Sequence, residues 1–219
     1  MNQSQIKIFS GVSVFIGALV WFILYTINKI DVNSLESLKY LNLGITITGI
    51  FWLLYFKWVW KWSVLGRLLY KPNVNGTWLG EFKSDWKDQS GKMNPPKKFV
   101  LVVRQTWFSI SIRAYTELQK TESYVETLMF DDTRGIKLIA YLFSEKRIGS
   151  GEHGARQGAA ELDLIEDEKE NMLEGHFWTQ AGTRGYIRVN HASHNIYVDS
   201  FQQANTRWKE IDEWASFKE

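Results

Sequence analysis

His191 and His194 flank Ala192 and Ser193. On a helix this spacing would set two imidazoles on one face, within reach of one metal ion. Asp199 is the one carboxylate close by in sequence, and a solvated turn is the simpler reading of the pair. The stretch EKRIGSGEHGAR, Glu145 to Arg156, holds three glycines and three basic residues. Backbone N–H groups in such a loop can cradle phosphate, although a flexible hairpin connection accounts for the composition equally well. Signatures of catalysis are missing: there is no Walker loop, no G-x-S-x-G elbow and no H-E-x-x-H pair. The chain has no cysteine, which excludes disulfides and thiolate metal sites and fits a reducing compartment. These residues point to a protein that binds rather than catalyses, with no catalytic residue, no metal and no organic cofactor.

The elements that must position any binding residue fall into two dissimilar parts. Of the chain's 26 basic and 24 acidic residues, seven and two lie before Pro72, leaving a mildly acidic remainder of 19 and 22. An acidic globular part argues against a DNA or RNA polymer as partner, since such affinity rests on many phosphate contacts. From Ile8 to Ile27, twenty residues carry no charge. At about 1.5 Å per residue they match the roughly 30 Å hydrocarbon core of a bilayer. This run is longer than a signal peptide's apolar region and lacks a small-x-small cleavage site after it. A second uncharged run, Tyr40 to Phe56, is weaker because it contains Asn42, Thr46 and Thr48.

FKWVWKWSVLGRLLYK follows at once, and it reads as the place where the chain leaves the membrane. Trp58, Trp60 and Trp62 suit an aromatic belt at the headgroup layer, with Lys57 and Lys61 meeting anionic lipid. The excess of Lys and Arg after the second run orients both termini to the cytoplasm and the connector outside. Within the runs, Ser13 and Gly17, Gly44 and Thr48, and the stripe Asn42, Thr46, Gly49 place small or weakly polar groups where helices can approach.

After Pro72 the pattern becomes eight short segments rich in β-branched and aromatic residues: 76–84, 98–106, 108–116, 122–131, 136–144, 159–165, 172–179 and 184–190. In FSISIRAY, Phe108, Ile110, Ile112 and Ala114 share one face and Ser109, Ser111, Arg113 and Tyr115 the other. Mostly short connections require antiparallel pairing, and closing the sheet removes its edges. Asn75-Gly76-x-Trp78 is similar to the glycine-x-tryptophan start of lipocalin-type barrels, in which the tryptophan closes one end. The expected fold is therefore an all-β, eight-stranded antiparallel, lipocalin-like barrel over residues 72–219, preceded in 1–71 by a two-helix transmembrane hairpin. Trp208, Ile211, Trp214 and Phe217 in the tail predict a C-terminal helix on the barrel.

This order of elements, with the opening NGTWLGEF at Asn75 to Phe82 and the hairpin WTQAGTRGYI at Trp178 to Ile187, resembles the two-transmembrane β-barrel effectors of bacterial CBASS antiphage systems. In the hairpin, Gln180, Ala181 and Gly182 separate Thr179 from Thr183, and Arg184 follows. The resemblance implies a multi-pass protein of the bacterial inner membrane. Its cytosolic barrel would bind a cyclic dinucleotide made by a partner CD-NTase, after which protomers associate and disrupt the bilayer. A cyclic dinucleotide offers base faces for stacking, phosphates for guanidinium groups and base edges for hydroxyls. Trp78, Tyr115, Tyr141 and Tyr186 supply the first, Arg113, Arg184 and Arg188 the second, and Thr77, Ser111 and Thr179 the third.

Two rivals remain: a membrane-anchored carrier or sensor of an apolar ligand, and a scaffold with a filled barrel. A polar, arginine-bearing interior would favour the nucleotide, an apolar cavity the carrier and a filled interior the scaffold.

Overall fold

The computed structural model describes residues 3–28, 36–62, 64–87, 91–131, 134–147, 156–167 and 170–208. The chain divides into two compact units, Met1–Lys71 and Pro72–Glu219.

In the first unit, helices α1 (Gln3–Asn28) and α2 (Glu36–Lys57) lie against each other. Their seam is built from small residues. A Cβ placed on Gly44 would stand 3.4 Å from the carbonyl oxygen of Gly17, and one on Gly17 would stand 3.9 Å from Thr48 Oγ1. Ser13 donates to the Phe9 carbonyl at 2.7 Å and accepts the Trp52 indole N–H at 2.8 Å. The four small residues thus pack one helix on the other, whereas Asn42, Thr46 and Gly49 face away from the seam, and a Cβ on Gly49 would meet nothing within 4 Å. Among the described residues, one helix is long and apolar enough to cross a membrane, over Gln5–Ile27. Apolar side chains cover the outside of both helices, with Phe15 67% and Leu53 63% exposed.

After α2 the chain turns back through two short 3-10 turns, Val59–Lys61 and Leu65–Arg67. Tyr55 anchors this return: its buried hydroxyl accepts the Leu69 N–H at 3.0 Å. The turn geometry also sorts the tryptophans. Trp58 and Trp62 are exposed and Lys57 sits 4.5 Å over the Trp58 ring, but Trp60 is buried. The three do not form one belt, because a 3-10 turn places successive side chains about 120° apart where a strand would align i and i+2.

The second unit is a closed barrel whose strands pair in chain order, β1 (Gly76–Ser84), β2 (Lys97–Gln105), β3 (Ile110–Tyr115), β4 (Gln119–Asp131), β5 (Ile136–Arg147), β6 (Arg156–Glu166), β7 (Asn171–Thr179) and β8 (Arg184–Ser193), with β8 returning antiparallel to β1. All eight expected strands form. Their ends differ mainly where hairpins extend the pairing, as in β4, β5 and β6. Phe108 lies outside β3 and is exposed, because Thr106 and Ser109 close a turn there through the Thr106 N–H and hydroxyl.

Inward residues follow strand parity: Trp78, Phe82, Phe99, Leu101, Ile112, Tyr141, Phe143, Leu162, Phe177 and Ile187 belong to one interior cluster. The β3–β4 ladder is the shortest, three residue pairs, and a bulge at Ser123/Val125 follows it on β4. There the Ser123 hydroxyl accepts the Ile112 N–H at 2.8 Å, so this donor is satisfied where the ladder is interrupted. A second cluster lies outside the wall, where α3 (Phe201–Arg207) and Trp208 cover Leu79, Val100, Val102 and Tyr115. Ser200 caps this helix by accepting the Gln203 N–H at 3.1 Å. Ile211, Trp214 and Phe217 fall outside the described residues.

Candidate functional site: the barrel mouth

The barrel is plugged at one end. Trp78 is fully buried, and its indole N–H donates to the Val74 carbonyl at 3.0 Å, which satisfies the one polar atom of that side chain. The Gln105 side chain, also buried, accepts the Val74 N–H at 2.8 Å and donates to the Pro72 carbonyl at 2.9 Å. His191 stands edge-on to Trp78 at 4.9 Å, and His194 is 4.7 Å from His191. Burial, and next the neighbouring His194, hold the His191 pKa below its ordinary value. Among the described residues no group of three or more His, Asp or Glu is placed to hold a metal ion.

At the other end, where β1, β3, β5 and β7 finish, the described residues leave a mouth. Inside it lies a cavity of about 60 Å³, walled by Phe82, Phe99, Tyr141, Phe143 and Phe177 and edged by Thr116, Gln119, Thr121, Glu145 and Thr179. Phe82 meets Phe99 and Phe177 edge to face at 5.7 and 6.0 Å. Glycines give these rings room to lie against the wall. A Cβ on Gly158 would sit 2.5 Å from Phe143 Cζ, and one on Gly185 would sit 2.3 Å from Phe177 Cε1. The wall residue facing each of these rings therefore has no side chain.

Polar groups at the rim are placed by hairpin geometry. At the β3–β4 turn the Thr116 hydroxyl accepts the Gln119 N–H at 3.0 Å, and Gln119 Nε2 donates to Glu145 Oε1 at 2.6 Å. At the β7–β8 turn the Thr179 N–H donates to the Thr183 carbonyl at 2.9 Å, while Gly182 takes a left-handed φ of +79°. That turn leaves Thr179 Oγ1 buried and without a hydrogen-bond partner among the described residues. Lys97 and Arg156, at the first positions of β2 and β6 and of inward parity, are exposed at the rim. Burial pushes the Tyr141 hydroxyl pKa up, so the group stays a neutral donor.

Beside the cavity and sharing Phe177 and Thr179 with it runs an open cleft of about 900 Å³, lined by Lys83, Ser84, Asp85, Trp178, Arg184 and Tyr186 among others. Asp85 secures its floor: the Arg184 N–H donates to Asp85 Oδ1 at 2.7 Å and the Asp85 N–H to the Arg184 carbonyl at 2.8 Å. Tyr186 lies edge-on to His176 at 5.0 Å. The cleft falls within the usual range for ligand sites of about 300–1,000 Å³, whereas the inner cavity is far below it.

Of the ten residues singled out in the sequence, four meet at this mouth: Tyr141 and Thr179 in the cavity, and Thr179, Arg184 and Tyr186 along the cleft. The other six lie elsewhere. Trp78 is inside but at the plugged end, and Thr77 points out of the barrel to donate to the Asn195 carbonyl at 2.5 Å. Ser111 and Arg113 take the outward parity, Arg113 between Glu122 at 3.6 Å and Asp199 at 3.8 Å. Tyr115 is buried beneath α3, and Arg188 pairs with Glu174 at 3.0 Å on the outer wall. The alternation of FSISIRAY fixed which residues share a face but not which face turns inward; the apolar set Ile110, Ile112, Ala114 claimed the core. Sequence reasoning passed over the phenylalanine walls, Gln119 and Glu145. The signal available was the pairing of bulky residues at i and i+2 near strand ends, Tyr141 with Phe143.

Residues 69–191, which run from before β1 into the last turns of β8, match the family model described as Cap15, cyclic dinucleotide receptor domain. A CD-NTase-associated protein 15 of Yersinia aleksiciae is 27% identical over 199 residues, covering 84% of this chain and 86% of that protein. A CD-NTase-associated protein 15 of Staphylococcus schleiferi is 20% identical over 171 residues, covering 78% of this chain and 89% of that protein.

Proposed function

Because this chain belongs to the family of Cap15 cyclic dinucleotide receptor domains, a family of CBASS effectors, we propose that its barrel mouth takes up a cyclic dinucleotide from a partner CD-NTase. The observation that carries this reading is that the matched residues include both ends of the barrel, and among the described residues the cavity lies at the end away from the Trp78 plug. There, aromatic rings, an unpartnered threonine hydroxyl and rim cations stand together. A ligand with flat bases and two phosphates needs those three chemistries. It lies across the mouth and cleft, since the inner cavity of about 60 Å³ admits no more than part of a base without side-chain movement. The same small volume counts against a carrier of apolar cargo, which needs an enclosed cavity several times larger.

The output is association rather than chemistry. α1, with its apolar surface, spans the inner membrane, and α2 returns beside it, so that both termini are cytoplasmic. Ligand favours an associated form of the barrels. Tethering then raises the local concentration of the helices, whose outward stripe Asn42, Thr46, Gly49 is available to a neighbouring protomer, and the bilayer leaks. The test is the full chain reconstituted in dye-loaded vesicles with cyclic dinucleotides added. Ligand-dependent release that saturates with binding is expected. Binding of none of them, with no release, sinks the proposal.

A further inference from the structure

β4 is longer than the wall it closes. Of its 13 residues, Gln119–Asp131, three meet β3: Lys120 opposite Tyr115, Thr121 opposite Ala114 and Glu122 opposite Arg113. Past the bulge at Ser123/Val125 the strand continues against β5, with Val125 opposite Leu142 and Met129 opposite Leu138. From Tyr124 to Met129 it pairs, among the described residues, with β5 alone. The barrel therefore carries a strand edge where β3 and β4 part.

Strand parity identifies the backbone groups on that edge. The Ile112 N–H is directed at β4, where the Ser123 hydroxyl accepts it at 2.8 Å. Alternation then directs the backbone groups of Ala114 and Thr121 at each other, and those of Glu122 at Ser144 on β5. Two residues along β5, Leu142 bonds Val125, which turns the N–H and C=O of Glu126 and Leu128 toward the edge. On the outer face of the same stretch Val125 is 54% and Met129 48% exposed, and Tyr124 is exposed beside them. Edges of this kind are normally guarded by lysine, proline or projecting charge. Tyr124 to Met129 reads YVETLM, without lysine, arginine or proline. Its single charge, Glu126, is half-buried and accepts the Ser123 hydroxyl.

We infer that this edge pairs antiparallel with the same edge of a second copy of the chain, joining two barrels across a two-fold axis at Thr127. The stretch is complementary to itself in that register: Thr127 faces Thr127, Glu126 faces Leu128 and Val125 faces Met129. Glu126 and Leu128, whose backbone groups are on the edge, exchange hydrogen bonds on each side of the axis, and Thr127 forms the close pair between them. Moving the axis to Glu126 opposes two carboxylates, and moving it to Leu128 sets Asp131 against Val125. A contact made by one patch on both partners closes after two copies. It needs no ligand, so the association proposed above gathers pairs of barrels.

The cysteine-free chain allows a direct test. Thr127→Cys puts one thiol on the axis, opposite its own copy at a Cα separation of about 4.5 Å, which a disulfide can span. Asp163→Cys, exposed on β6, is the control. The full chain is reconstituted in vesicles without nucleotide, oxidised with copper phenanthroline, and the dimer fraction is read at increasing lipid dilution. Thr127→Cys should cross-link at dilutions where Asp163→Cys does not. In the Thr127→Cys background, Val125→Lys with Met129→Lys sets lysine against lysine on both sides of the axis and should weaken association about tenfold. Val125→Lys with Met129→Glu sets opposite charges there and should restore it. Residues 125 and 129 lie about 13 Å apart along their own strand, so the restoration must come from a second copy. A Thr127→Cys yield no higher than that of Asp163→Cys, or two double variants that behave alike, overturns the inference. Because no nucleotide is present, either result leaves the receptor reading to the dye-release assay.

Discussion

Replacing Thr179 by valine separates a binding group from a structural one, because the two roles move stability in opposite directions. The Thr179 hydroxyl is buried and has no hydrogen-bond partner among the described residues, while its backbone N–H is engaged with the Thr183 carbonyl at 2.9 Å. Valine keeps the shape and the backbone bond and deletes the hydroxyl. A buried, unsatisfied polar group costs about 1–3 kcal/mol. Even the low end of that range, about 1 kcal/mol, should raise the melting point of a domain this size by roughly 2–4 °C. With ligand the sign reverses. A lost hydrogen bond to a base should weaken binding by about 0.5–1.5 kcal/mol, and one to a phosphate oxygen by about 1.5–3 kcal/mol, a range from roughly twofold to roughly 150-fold in Kd. Near-UV circular dichroism on heating, without ligand, and calorimetric titration with a cyclic dinucleotide give the two numbers. A variant that melts lower than the wild type and binds unchanged would refute the assignment of Thr179 to the site, since it would show the hydroxyl supporting the fold alone.

Gly185→Ala should cost about 1–3 kcal/mol of stability, because its Cβ would meet the Lys83 carbonyl oxygen at 2.2 Å as well as the Phe177 ring; an unchanged denaturant midpoint would contradict the close β1–β8 approach. Gly44→Leu should part α1 from α2, and in this cysteine-free chain the yield of an oxidised cross-link between cysteines placed at Ser13 and Trp52 reports it, falling if the seam is as described. The folded His191 pKa lies below its ordinary value of 6.5. The unfolded chain therefore binds more protons in the window just below that value, and stability contributed by the neutral ring is present above it and lost as pH falls through the folded pKa. Melting points measured from pH 7 to 5 should drop less for His191→Asn than for the wild type; parallel curves would exclude His191 as the source.

Period-2 alternation, β-branched runs and turn residues made the strand count and order legible, since each strand of this barrel pairs with its sequence neighbour and needs no long-range information beyond closure. Face assignment was less accessible. In β3 and β8 the inward and outward sets both contain large side chains, and the choice was decided by what covers the outside: α3 buries Tyr115 as thoroughly as the core buries Ile112. Arginines were read as phosphate ligands on residue type alone. Arg113 and Arg188 instead found carboxylates across the ladder, Glu122 and Glu174, which a one-dimensional reading cannot register without the strand offsets. The tryptophans after α2 suit an aromatic belt by residue type and place in the chain, whereas the turn that buries Trp60 depends on Gly66, where a Cβ would meet the Trp60 carbonyl oxygen at 2.4 Å. Propensity carries no record of such an approach.

A filled, closed barrel constrains how occupancy could be transmitted. Its ladders continue from β1 through β8 and back, and its interior below the mouth is occupied by close-packed side chains. Interiors of that density deform little, so a ligand held at the mouth gains more by altering the mouth's surface than by reshaping the wall. On the proposed reading the cost of switching is therefore set by association. Moving a population from about 1:99 to 99:1 takes a differential affinity of about 5.5 kcal/mol between lone and associated barrels. A dianion that covers the exposed cations Lys97, Arg156 and Arg184 and fills the space before Thr179 changes charge and shape where the barrel is open. Apolar helices already confined to one plane need no further conformational change to meet, so a modest gain at the mouth is enough to gather them.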